Sequence, residues 1–202
     1  MDKKILKVCM LGSFSLEYAG KELVLDRNKN SKTTQLFQLL MLHTEDGGIS
    51  KAAMIEALYG RVEVENKNSS LNNTIFRLRK QLKDIGLPES KYINIQSGMC
   101  CWDENIKVWV DVCEFKRLVE QVRTEKREGD RLQLWLKIWK IYKGEFLPDM
   151  IGENWAAVEN VQCRDDYFQV TTQLCQWLKN NERYEDLHRI SHMTAEIYPF
   201  DE

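Results

Sequence analysis

The sequence predicts a mixed, mainly α chain in two parts, divided as residues 1–105 and 106–202. Three observations predict it. Short apolar runs broken by glycine-containing turns fill the chain up to Leu25, as in a small antiparallel sheet. Apolar residues then recur at helical spacing in three segments between Ser31 and Lys83, with a second pair of strand-like runs after them. Past Asn105 the pattern is helical almost to the end. Charge divides the same way: 1–98 holds 15 basic and 11 acidic residues, net +4, while 99–202 holds 14 and 20, net −6. Opposite signs in the two halves fit a chain in which only the first meets a polyanion.

In order, ILKVCML, FSLEYA and ELVL read as three strands, separated by Gly12-Ser13 and Gly20-Lys21. Ser31 opens a helix whose apolar face holds Leu36, Leu39 and Leu40, with Phe37 and Met41 beside them, and Gly47-Gly48 ends the connection after it. Ser50 is placed as the N-cap of KAAMIEALYG, a short helix with Met54, Ile55 and Leu58 inward and Gly60 just past its end. A polar loop follows. The next helix is the most informative segment: from Asn66 to Lys83 it has five basic residues and no acidic one. Leu71, Ile75, Leu78 and Leu82 form a single stripe that turns Asn72, Asn73, Phe76, Arg77 and Lys80 to other faces. Gly86 and Pro88 break the chain, and YINIQ and MCCW form a hairpin around Ser97-Gly98. Three helices followed by a β-hairpin describe a winged helix-turn-helix.

In the second part, a short extended piece at VWV leads into a helix expected to stop at Gly129, and DRLQLWLKIWKIYKG into one expected to stop at Gly144. Phe146, Leu147 and Pro148 make an apolar turn. A long amphipathic helix spans about 153–181 with Trp155, Val158, Tyr167, Leu174 and Trp177, and a last one about 185–197. Antiparallel helix pairs with aromatic packing fit a bundle or a tetratricopeptide-like array. The closing PFDE leaves the last helix little cover, so the expectation is a truncated helical domain within a longer protein.

Asparagine and arginine can make paired hydrogen bonds to base edges, and lysine and arginine neutralise phosphates. Asn72, Asn73 and Arg77 are therefore the candidates for base or groove contact. Lys80, Lys67 and Ser69 are the candidates for phosphate, the latter two because a helix N-terminus attracts anions. At the hairpin, Gln96 and Ser97 can donate to phosphate or sugar, with Gly98 permitting the tight turn. Thr33 and Thr34 could offer backbone amides to phosphate. Arg79 is open between DNA and an acidic partner inside the domain. The spacing of His188 and His192 can suit a metal, but packing or surface roles explain them better. The six tryptophans read as core or interface residues. No phosphate loop, catalytic triad or carboxylate pair is in a recognisable frame, so neither an enzyme nor a cofactor or metal site is expected. The six cysteines include no CxxC pair and read as reduced and mostly buried, with at least one of the adjacent Cys100 and Cys101 accessible. With no bilayer-spanning run and no leader pattern, the expected location is the cytoplasm.

Five segments together resemble bacterial transcriptional activators of the SARP type, the antibiotic regulatory protein family: LKVCMLGSFSLEYAGKELVL, SKAAMIEALYG, LNNTIFRLRKQL, VDVCEF and YKGEFLPD, in the family's order. The resemblance covers nearly the whole chain. It implies a response-regulator-like winged helix followed by a bacterial transcriptional activator domain. The implied function is a sequence-specific regulator of transcription, usually an activator, whose third helix enters the major groove of double-stranded DNA while the wing follows backbone or minor groove. The second domain would then serve contacts with RNA polymerase or with further copies of the chain. A protein-interaction module acting through the helical domain without DNA is the alternative. Two departures stand out: Phe76 lies where relatives carry a small or polar residue, which leaves extra packing or contact with a thymine methyl open, and QSGMCCW replaces a glycine-rich wing turn followed by tyrosine.

Overall fold

The fold is described from a computed structural model covering residues 4–63, 65–150 and 152–199. Strands β1 (Leu6–Cys9), β2 (Ser15–Tyr18) and β3 (Lys21–Leu23) form an antiparallel meander. Leu6 and Val8 are fully buried, while Lys7 between them faces water and pairs across the strands with Glu17 at 3.0 Å. This alternation is what a sheet with one covered face requires.

Behind the meander come α1 (Lys32–Leu42), β4 (Ile49–Ser50), α2 (Lys51–Tyr59), α3 (Lys67–Asp84) and the hairpin of β5 (Ile93–Gln96) and β6 (Met99–Trp102). Both expected serine caps are in place: Ser31 accepts from the Thr34 amide at 3.2 Å and Ser50 from the Ala53 amide at 3.1 Å. Helix α1 is buried all round from Thr33 to Leu42, so it serves as the axis on which the other elements pack. β4 extends the hairpin to three strands, in the order β4-β6-β5.

Strand β7 (Val108–Val110) runs parallel to β1, pairing Leu6 with Val108 and Val8 with Val110. The sheet order is thus β3-β2-β1-β7, and its fourth strand comes from beyond the division expected after residue 105. Immediately after β7, the buried Asp111 opens α4 (Asp111–Thr124). Its carboxylate accepts from the Met10 amide at 2.8 Å, Leu11 at 2.9 Å and Val112 at 2.7 Å. One side chain therefore satisfies the exit of β1 and the start of α4 together. Gly12 donates to the Glu145 carbonyl at 2.8 Å, and Leu147 to that of Met10 at 2.8 Å, so residues 10–12 are clasped by the turn after α5 (Glu128–Ile141).

Two helix ends differ from expectation. α4 ends at Thr124, and Gly129 lies in the first turn of α5. The Glu125 side chain accepts from the Arg127 amide, which turns the chain early, and Glu128 and Asp130 suit a positive helix start. α5 ends at Ile141, before Gly144, because Tyr142 turns into the core and stacks on Tyr167 with centroids 4.1 Å apart. After a short 3₁₀ turn at Pro148–Met150 come α6 (Asn154–Asn180) and α7 (Tyr184–Ile197). Their packing buries Tyr167, Leu174, Leu178 and Ile190, whereas Val158, expected on the apolar side of α6, is 67% exposed. Among the described residues no helix is long and apolar enough to cross a membrane.

Candidate nucleic-acid interface

Helix α3 is built for two surfaces. Asn66 caps it, its side chain accepting from the Ser69 amide at 3.0 Å. Leu71, Ile75, Leu78 and Leu82 are at most 2% exposed, each worth about 1.5–3 kcal/mol in apolar burial. Thr74 sits with them, its hydroxyl 2.7 Å from that of Tyr59 on α2. That stripe fixes the helix's rotation, so the opposite residues have no choice of face. Ser69, Asn72, Asn73, Phe76, Arg77, Lys80 and Lys83 are all exposed, on one face along about 21 Å of helix.

The basic residues divide by role. Arg79 turns inward, donating to the carbonyls of Ile93 at 2.6 Å and Lys91 at 3.2 Å. It therefore pins α3 to the root of the hairpin rather than meeting an acidic side chain. Lys83 pairs with Glu89 at 2.9 Å, an exposed contact of little energetic weight. Asn72, Asn73, Arg77 and Lys80 engage no partner among the described residues. Beside them, between α3 and residues 89–92, runs an open groove of about 710 Å³ with Lys80, Lys83 and Lys91 on its walls. Lys91 is not among the sequence candidates; its signal is a cation two residues before β5.

Gln96 and Ser97 are exposed at the hairpin tip. The turn is two residues, Ser97 and Gly98, with φ of +49° and +80°, the left-handed pair that matches the twist of a hairpin. The Gly98 carbonyl accepts from the Lys51 amide at 2.8 Å, which seats the tip beside the start of α2.

Three expectations change. The Ser69 amide is already taken by Asn66, leaving only its hydroxyl for an anion. Lys67 is half-buried. Thr33 and Thr34 are 8% and 1% exposed, and Lys32 and Gln35 of the same turn reach Glu153 at 3.4 and 2.9 Å. A carboxylate of the chain's own second half thus occupies that end of α1, in place of a phosphate. Arg61 adds to this seam by donating to the Gly152 carbonyl at 3.0 Å and to the Asn154 side chain.

Elsewhere, His188 and His192 are exposed with ring centroids 6.2 Å apart. No group of three metal-ligating side chains gathers among the described residues. All six cysteines are free; Cys100, Cys113 and Cys163 are buried and Cys9, Cys101 and Cys175 partly so. Trp102 and Trp135 are buried, and Trp109 is partly exposed.

An exposed line of amides and cations on a rigid helix can pair with base edges and phosphates, and a second exposed polar tip can follow a backbone. No family model matches the chain, and no curated protein matches it in sequence. Among solved structures it is similar to Mycobacterium tuberculosis EmbR in complex with low affinity phosphopeptide, at 14% identity and a TM-score of 0.69. The likeness covers 98% of this chain and 52% of that one, so the chain spans about half the neighbour's length. At this identity the likeness is one of fold: from the first sheet through the helices beyond it, the chain has an EmbR-like architecture.

Proposed function

We propose that this chain is a sequence-specific, cytoplasmic DNA-binding regulator of transcription, an activator without enzymatic activity. In this reading α1 to β6 form a winged helix: α3 enters the major groove, and Gln96 and Ser97 at the wing tip meet the backbone. The helical half, α4 to α7, supplies contacts to RNA polymerase or to further copies of the chain. One observation carries the reading: Asn72, Asn73, Arg77 and Lys80 stand exposed and unpaired among the described residues on a helix whose other side is locked into the core. The ordered resemblance of five segments to SARP-type activators supports it, as does the EmbR-like fold.

Duplexes selected from random DNA should bind with an affinity that falls steeply as salt rises, because phosphate contacts release counterions. Arg77→Ala should cost about 1–3 kcal/mol on the selected site if it reads a base. A flat salt response on selected and random duplex alike would remove the proposal. A second reading, an interaction module that uses no DNA, draws on the net charge of −6 over 99–202, which suits a basic peptide. It predicts that a double variant at Arg77 and Lys80 leaves partner binding and cellular activity intact.

A further inference from the structure

We infer that Phe76 determines specificity: its ring reads the C5-methyl group of a thymine in the major groove. The inference rests on the DNA-binding reading above and names one chemical feature of the target.

Phe76 is 69% exposed. Every other phenylalanine among the described residues is buried or partly buried, and the stripe that seats α3 runs through Leu71, Ile75, Leu78 and Leu82 without it. Extra packing, one of the two roles left open by the sequence, is therefore removed. The ring lies in the middle of the polar face, one helical turn after Asn72 and Asn73 and one before Lys80, and it borders the groove whose walls carry Lys80, Lys83 and Lys91. On that groove Lys80 and Lys91 stand beside the Lys83–Glu89 pair, leaving a net positive wall, and the unpaired amides of Asn72 and Asn73 lie one turn earlier; together they fit a polyanion with base edges better than an apolar protein surface. Within the major groove, the groups presented by base pairs are hydrogen-bond donors and acceptors, with a single apolar exception, the thymine methyl. Among those groups the methyl is the one that an aromatic ring set among hydrogen-bonding side chains matches best. Asn72, Asn73 and Arg77 would read the neighbouring pairs.

The test uses the full chain and a duplex selected from random DNA, with each thymidine replaced in turn by deoxyuridine. This removes one methyl and leaves base pairing unchanged. Loss of the methyl at one position is expected to weaken binding by about fourfold. Phe76→Ala should bind the thymine and uracil duplexes equally, bind random duplex as the parent does, and keep the parent's circular dichroism. Phe76→Leu should retain part of the methyl preference. The wild-type scan is decisive by itself: a selected site with no methyl-sensitive thymine overturns the assignment, as does equal methyl sensitivity with and without the ring. In both cases selective binding persists and the regulator reading stands. Absence of selective, salt-dependent binding overturns the two together.

Discussion

Asp111 offers the sharpest test of the junction between the two halves. It is 3% exposed, and burial pushes its carboxyl from the ordinary 3.8 up to about 6, against the pull of the Met10, Leu11 and Val112 amides. Between those values the folded chain keeps a proton that the unfolded chain has released. The contribution is therefore whole below the unfolded value of 3.8 and is lost as pH rises through about 6. At about 1.36 kcal/mol per pH unit, that gap is worth about 3 kcal/mol. This is a large share of the roughly 5–15 kcal/mol that holds a domain folded. Asp111→Asn removes the titration and keeps one acceptor oxygen. Urea unfolding of both proteins from about pH 4 to pH 7 should show the variant gaining on the wild type by about that amount as pH rises. Asp166, also raised by burial, is common to both and cancels. A difference that stays constant with pH would refute the burial argument; one that moves the other way would mean that the three amides dominate.

Arg79→Ala should cost about 1–2 kcal/mol, within the range for a charged donor's hydrogen bonds after a discount for partial exposure. Hydrogen exchange should rise in β5 and stay unchanged in α4 to α7; uniform acceleration would deny Arg79 its local role. Burial pushes the Cys113 and Cys163 thiols up to about 12, so at pH 8 only about one in ten thousand is thiolate. Alkylation followed by peptide mass spectrometry should spare both until the chain unfolds, and labelling as fast as that of half-buried Cys101 would contradict their placement.

The readable elements were those specified by neighbours in sequence. The stripe from Leu71 to Leu82, the caps Ser31 and Ser50 and the Ser97-Gly98 turn each depend on spacings of a few residues, and the structure places them as read. Misread features depended on distant chain. Thr33 and Thr34 have the composition of an open helix start, yet Glu153, far along the chain, closes it. Arg79 has the same chemistry as Arg77, two residues away; its spacing puts it on the flank of the buried stripe, but only the distant hairpin root supplies the carbonyls that it binds. Gly129 looks like a stop, but the Glu125 side chain ends α4 first. The parallel pairing of β7 with β1 joins residues about a hundred positions apart, a separation at which periodicity carries no information.

That pairing has a practical corollary for anyone dissecting the protein. A cut after residue 105 strips β1 of its neighbour, baring a row of backbone donors and acceptors ready to recruit strands from other molecules, and also discards the carboxylate that holds Met10 and Leu11. Excised fragments divided there should clump regardless of what either half does in the cell. A soluble amino-terminal piece has to carry β7 and the start of α4 along with it, because the two halves share one sheet and one buried carboxylate in place of a loose tether.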